Sequence, residues 1–208
     1  MPPFQAIFFD FDGVLADTEP LHCACWAEVL ATRDIALEWE FFRQHCVGVD
    51  DRDVLKMVAE RVSSPQSWED LWTLYPAKKE LFRHRTLADP PFDARLGPFL
   101  ESLHRDYRLA VVSTSSCSEI EPVLAAGGLR PHFDTVVGGE STPRERHKPA
   151  PDPYLLAAER LGVSSALVVE DSEVGMASGR AAGFEVVQIP RAADMPELVL
   201  QRLAESRP

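Results

Sequence analysis

The sequence predicts an α/β fold, a doubly wound parallel sheet whose first strand is followed by an inserted all-helical segment. Three observations carry this. Short, near-continuous apolar runs alternate with helical patterns over the second half of the chain, as strands buried on both faces and their crossover helices do. The first such run, Ala6–Phe9, stands about 100 residues before the second. The stretch between them is helix-like. At 208 residues the chain is long enough for one domain carrying a sizeable insertion, and for a core that needs no covalent staples.

The elements follow in order. The strand-like runs are Ala6–Phe9, Leu109–Ser113, Thr135–Gly138, Ala166–Glu170 and Phe184–Ile189. Helices are expected over Ser116–Ala126, which ends at Gly127-Gly128, and over Pro151–Leu161, which has prolines in its first turn and Gly162 just past its end. A third runs over Glu173–Ala182 and stops at Gly183. In the insertion, Val54, Leu55, Val58 and Ala59 keep helical spacing, as do Leu71, Leu74 and Tyr75, then Leu81 and Phe82. The organisation read from this is a core of residues 1–17 and 89–208 with a helical module of residues 18–88. Prolines near both junctions suit a hinge. Trp26, Trp39, Trp68 and Trp72 all fall in the module and are expected to build its small core.

Composition excludes several functions. Lys plus Arg is 21 against 33 Asp plus Glu, a net charge of −12. A surface that negative repels polyanions and anionic lipid, so neither a nucleic acid nor a membrane is an expected partner. No apolar run approaches a membrane span, and the first residues lack a secretory pattern. The four cysteines, Cys23, Cys25, Cys46 and Cys117, form no metal-site spacing. They read as reduced thiols of a cytoplasmic protein.

Ligands of an open α/β sheet bind beyond the carboxyl ends of its strands. At those ends lie Asp10-Phe11-Asp12-Gly13, Ser113-Thr114-Ser115 and Glu170-Asp171, and Lys148 lies in the segment before the fourth run. Asp10 and Asp12, two apart in extended chain, point to one side. Such carboxylates repel each other unless a proton or a cation intervenes. A hard divalent ion resolves this, and Mg²⁺ accepts one or two carboxylates together with water and a phosphate. Lys148 supplies a fixed positive charge for either a substrate phosphate or the Asp10 carboxylate. At 4 Å and an effective dielectric of 20 such a pair is worth about 4 kcal/mol. The chemistry these groups support is attack of Asp10 on phosphorus, with Asp12 as the proton donor and then acceptor. Ser113 and the N–H groups of Thr114 and Ser115 hold phosphate oxygens, and Asp171 anchors the metal.

The runs DFDGVLADTEPLH (Asp10–His22), VVSTSS (Val111–Ser116), HKPAPDPY (His147–Tyr154) and VVEDSEVGM (Val168–Met176) occur in the order found in the haloacid dehalogenase superfamily. The chain resembles its aspartate-nucleophile phosphatase branch, with a Rossmann-like core and a helical cap of the phosphoglycolate phosphatase and β-phosphoglucomutase type. The resemblance implies Asp10 as nucleophile, Asp12 as acid/base, and Ser113 and Lys148 as phosphate binders. It implies Mg²⁺ ligation by Asp10, the Asp12 carbonyl and Asp171, with Glu170 a ligand or a supporting acid. An acid at Asp12 separates the chain from the family's dehalogenases and phosphonate-cleaving members.

Val47-Gly48-Val49 resembles the family's specificity loop. Where sugar phosphomutases carry a basic residue after it, this chain has Asp50 and Asp51, with Arg52 one place later. Thr18, His22, Gly48, Val49 and Arg52 are therefore candidate substrate contacts, with Thr18 and His22 alternatively capping the first cap helix. The cations among Lys78, Lys79, Arg83, His84 and Arg85 read as a solvated helix face or as a patch for a negatively charged substrate. The expectation is a Mg²⁺-dependent phosphatase of a small soluble phosphate monoester, a sugar phosphate or a phosphoglycolate-like acid. A β-phosphoglucomutase-like mutase and a non-catalytic binder of a phosphometabolite are the alternatives.

Overall fold

The computed structural model describes residues 4–47, 49–61 and 66–206. The chain divides into two compact units, one of Met1–Asp17 with Pro90–Pro208 and the other of Thr18–Asp89.

In the first unit the described residues form a five-stranded parallel sheet of β1 (Ala6–Phe9), β2 (Arg108–Val112), β3 (Thr135–Val137), β4 (Ala166–Glu170) and β5 (Glu185–Gln188). The order is β3-β2-β1-β4-β5, with β1 paired to β2 on one side and β4 on the other. The chain winds outward from β1 to β3 and then returns to the far side of β1. The switch of direction therefore falls between β1 and β4, where a crevice opens at the carboxyl ends of the strands. Phe9 is in register with both Val111 and Val169. That alignment brings Asp10, Ser113 and Glu170 to the same sheet edge.

The apolar runs are continuous because both faces are covered. Phe8 packs with Ala110, Val112, Val168 and the α8 (Asp152–Leu161) residues Tyr154 and Ala157. Ile7 and Phe9, on the other face, are equally buried, and Phe9 meets Phe133 edge-on. On the first face, α9 (Glu173–Ala181) lies so close that a Cβ on Gly179 would stand 3.0 Å from Val168 and Val186. Of the expected helices, that after β2 is α7 (Cys117–Ala126). Two helices of this unit were not read from the sequence, α6 (Leu96–His104) and α10 (Met195–Glu205). Their signal is present: Leu96, Phe99, Leu100 and Leu103 fall at helical spacing and are all buried.

The second unit is helical: α1 (Glu19–Ala31), α2 (Trp39–His45), α3 (Asp51–Arg61), α4 (Trp68–Trp72) and α5 (Tyr75–Ala88). Its core holds Trp26, Leu30, Phe42, Leu55 and Leu71, with Trp68 and Trp72 packed against it. Trp39 departs from expectation, being 42% exposed. It sits in the first turn of the short helix α2 with its ring stacked on Phe42, so Phe42 rather than Trp39 fills the interior. No helix among the described residues is long and apolar enough to cross a membrane.

Candidate active site

The first unit concentrates its charge at the β1–β4 switch. Asp10 leaves β1 with its N–H bonded to the Val169 carbonyl of β4, 3.0 Å away. Lys148, from the loop before α8, reaches it from the other side. Its ammonium donates to Asp10 Oδ1 at 2.8 Å, Glu170 Oε1 at 2.6 Å and the Val112 carbonyl at 2.9 Å. An ammonium has three protons. All three point at acceptors of the protein, and of the two partners open to Lys148 on sequence grounds the Asp10 carboxylate is in hydrogen-bond contact.

Glu170, at the end of β4, is wholly buried. Its Oε1 accepts from Lys148 and from the Tyr154 hydroxyl at 2.8 Å. Its Oε2 accepts from the Ser172 N–H at 3.2 Å and Oγ at 3.0 Å. Ser172 is also the N-cap of α9, accepting from the Gly175 N–H. Gly175 is required there, since a Cβ would lie 1.7 Å from Glu170 Oε1. On the opposite wall Gly13 adopts φ +75°, and a Cβ would meet Asp171 Oδ2 at 2.0 Å. The turn after β1 thus admits the Asp171 carboxylate only because residue 13 is glycine.

Burial, more than any neighbour, raises the Asp10 carboxyl to about 8; Lys148 opposes this, while Glu170 and Asp12 add to it. Asp171 is raised to about 6, again by burial first and then by Glu170. Tyr154 is pushed well above its usual range by burial and keeps its proton. One lysine does not balance these acids. Oxygens of Asp10, Glu170 and Asp171 lie within 4.8 Å of one another, a hard-donor set that suits a small divalent cation. A cation among them would restore the ionised forms that burial disfavours.

The loop after β2 completes the edge. Ser113 Oγ accepts from the Ser115 N–H at 3.0 Å, and Ser115 Oγ donates to Asp12 Oδ2 at 2.9 Å. The Ser115 N–H, expected at a phosphate oxygen, is thus bonded to Ser113 here, and the Ser115 hydroxyl to Asp12. The Thr114 N–H, by contrast, has no hydrogen-bond acceptor among the described residues.

The other candidates belong to the helical unit. Thr18 is buried at the N-cap position of α1, but its side chain makes no capping bond. His22, inside that helix, is no cap either. Its Nδ1 lies 2.9 Å from the Lys78 ammonium, and its ring stacks on Phe82 at 4.1 Å. Lys78 is buried rather than on a solvated face, and it also donates to both Asp51 oxygens, at 2.9 and 3.0 Å. Asp51 further accepts from the Trp26 indole. Arg83 pairs with Glu80 and Arg85 with Glu28. Val49 is 37% exposed, and the Arg52 guanidinium lies 4.8 Å over the Trp72 ring. Gly48 lies outside the described residues.

A family model described as "Haloacid dehalogenase-like hydrolase" matches residues 7–189, nearly the whole chain. The chain belongs to the haloacid dehalogenase-like hydrolase family. The fructose-1-phosphate phosphatase YqaB of Escherichia coli is 32% identical over 89% of this chain and 96% of its own length. A β-phosphoglucomutase of Mycobacterium bovis is 33% identical over 88% and 79%. Among solved structures, a haloacid dehalogenase-like protein of unknown function from Agrobacterium tumefaciens superposes with a TM-score of 0.79 at 25% identity, covering 96% of this chain and 99% of that one. The putative β-phosphoglucomutase of Thermotoga maritima gives 0.73 at 25%, over 98% and 100%.

The protein is therefore a member of a hydrolase family, of the phosphoric monoester hydrolase class. Within this haloacid dehalogenase-like core the sequence reading passed over Ser172 and Tyr154 as functional side chains. Ser172 immediately precedes α9, and its bond to Glu170 is set by the fold. Tyr154 lies 16 residues from the carboxylate it serves.

Proposed function

We propose that this haloacid dehalogenase-like hydrolase is a Mg²⁺-dependent phosphatase of a small phosphate monoester, a sugar phosphate or a phosphoglycolate-like acid, acting in the cytoplasm through an aspartyl-phosphate on Asp10. The observation that carries the reading is the lysine-clamped Asp10 at the sheet switch, with a second acid two residues on. Lys148 fixes one oxygen of Asp10 and orients the carboxylate for attack on phosphorus. Ser113 Oγ and the Thr114 N–H receive phosphoryl oxygens. Asp12, steadied by the Ser115 hydroxyl, protonates the leaving oxygen and later takes the proton of the water that hydrolyses the acyl phosphate. Asp10, Asp171 and the Asp12 carbonyl would hold Mg²⁺, with Glu170 beside them. Bound there, the ion would offset negative charge on the phosphoryl group and the carboxylates.

Hydrolysis is favoured over phosphoryl transfer to a second hydroxyl by the state of the helical unit's cations. A mutase retains a bisphosphate, which needs positive charge for the distal phosphate. Here Asp51 neutralises Lys78, and Arg83 and Arg85 each hold a glutamate. The relative named as a fructose-1-phosphate phosphatase supports this reading, and the relative named as a β-phosphoglucomutase makes the mutase the outcome to test against.

The test is a panel of phosphorylated metabolites assayed for released phosphate, followed by phosphorus NMR with β-glucose 1-phosphate and a bisphosphate primer. Free phosphate without accumulation of the 6-phosphate isomer is expected. Efficient isomerisation with little phosphate released would make the protein a mutase.

A further inference from the structure

Tyr154 belongs to the buried charge network, yet no step above uses it. Its ring lies between the sheet and the site. It stacks on Phe8 with centroids 6.4 Å apart, and the Lys148 ammonium is 5.1 Å from its centroid. A phenylalanine would meet both of those demands. The hydroxyl is the additional feature, and it donates to Glu170 Oε1, the same oxygen that accepts from Lys148.

We propose that the Tyr154 hydroxyl is a positioning group for the Asp10 nucleophile, acting through Glu170 and Lys148. The Lys148 ammonium stands between two carboxylates, with the Glu170 contact the shorter, 2.6 Å against 2.8 Å to Asp10. Two donors on one acceptor oxygen draw on the same electron density and their hydrogens repel each other, so each bond is weaker than it would be alone. By occupying Glu170 Oε1, the phenol moderates the pull of Glu170 on the ammonium and leaves Lys148 directed at Asp10. Ser172 holds the other Glu170 oxygen, so the carboxylate cannot rotate to relieve the competition. Without the phenol, Lys148 would settle toward Glu170 and loosen its hold on Asp10. The proposal rests on Asp10 being the nucleophile of the preceding section.

Tyr154→Phe removes the oxygen and keeps the ring, so packing and the cation–ring contact survive. Two measurements test it. The first is steady-state kinetics on the best phosphate ester found. A fall in kcat of about five- to tenfold with KM within about twofold is expected. The second is nitrogen–proton NMR of the lysine ammonium groups in metal-free, substrate-free protein. The Lys148 signal is assigned by its loss in Lys148→Arg and the Lys78 signal by its loss in Lys78→Arg. In Tyr154→Phe the Lys148 signal is expected to shift while that of Lys78, buried in the helical unit, stays. A purely structural tyrosine leaves kcat and the Lys148 signal alone, and that result overturns the proposal. A lower kcat with an unmoved Lys148 signal overturns it as well, because the hydroxyl would then act by another route. So does a moved signal with unchanged kcat. If wild-type protein turns over no phosphate ester at all, the phosphatase reading fails by itself. The Lys148 signal then decides alone, a shift supporting the coupling of phenol and ammonium and constancy refuting it.

Discussion

Each unit of the molecule buries a lysine, Lys148 in the α/β unit with 5% of its side chain exposed and Lys78 in the helical unit with 3%. Both ammonium groups have three polar contacts, and both lie against aromatic rings. Their surroundings differ in charge. Among the described residues Lys78 meets one carboxylate, Asp51, and the Nδ1 of the His22 imidazole. That pair is balanced. Lys148 meets Asp10 and Glu170, with Asp171 and Asp12 close enough to perturb the same groups. One cation against that set leaves an excess of negative charge in a buried place. The same device, a buried lysine, ties helices together where its charge is cancelled and, where it is not, stands in the perturbed surroundings that the proposed chemistry needs.

The comparison breaks most visibly at Asp10. Asp10→Asn is expected to lower turnover on the order of a thousandfold or more while leaving the circular dichroism of the protein unchanged. Substantial activity in that variant, with deamidation excluded by mass spectrometry, would remove Asp10 from the mechanism. Chelation is expected to have a comparable effect. Excess EDTA should abolish phosphate release and Mg²⁺ restore it, with Ca²⁺ a poor substitute because it prefers more ligands at longer distances. Full activity in chelator would end the metal assignment.

Replacing each lysine separates the two environments. Lys148→Met strands two buried carboxylates, and a stability loss of about 3–5 kcal/mol is expected unless they take up protons. Lys78→Met strands only Asp51, which keeps a quarter of its side chain in water, so a loss nearer about 2 kcal/mol is expected. In the double variant Lys78→Met with Asp51→Leu much of that loss should return, as denaturant titration would show. No comparable rescue is expected at Lys148, where other acids remain.

The acid excess also sets a pH dependence. Asp171 has a folded-state pKa raised to about 6 from an ordinary 3.8. A raised carboxyl contributes stability that is fully present below its unfolded value and is lost as pH rises through the folded one. Metal-free wild type should therefore lose stability relative to Asp171→Asn between about pH 4 and pH 6. Mg²⁺ should diminish that loss. Parallel melting curves of the two proteins across this range would contradict the burial argument.

The smallest effect compares two helix caps. Ser67 closes an exposed capping box with Asp70 at the start of α4, and Ser67→Ala should cost about 1 kcal/mol and leave the rate unchanged. Ser172→Ala loses a similar cap, about 1 kcal/mol, and in addition leaves Glu170 Oε2 with only the backbone N–H of residue 172, so kcat should fall as well. Equal rates in the two variants would show that Glu170 does not need Ser172.

Much of this protein is determined locally and so is legible in the chain. The strands Ala6–Phe9 and Ala166–Glu170 stand where their apolar runs do, because buried parallel strands need no polar face. Asp10, Asp12, Ser113, Glu170 and Asp171 follow from their places at strand ends, since a parallel sheet gathers such residues at one edge whatever its strand order. Amphipathic helices such as α10 were legible but not read, their signal being spread over eleven residues. Tertiary structure decided the pairings. Nothing in the local sequence says that Lys148 commits every proton to the protein, that Ser115 turns its hydroxyl to Asp12, or that Asp51 cancels Lys78 from 27 residues away. Each of these depends on which donor and acceptor are brought within about 3 Å once the chain has packed, and on how much water that packing removes. Residue types set the chemistry available, and burial and distance, properties of the folded chain alone, set which charges meet.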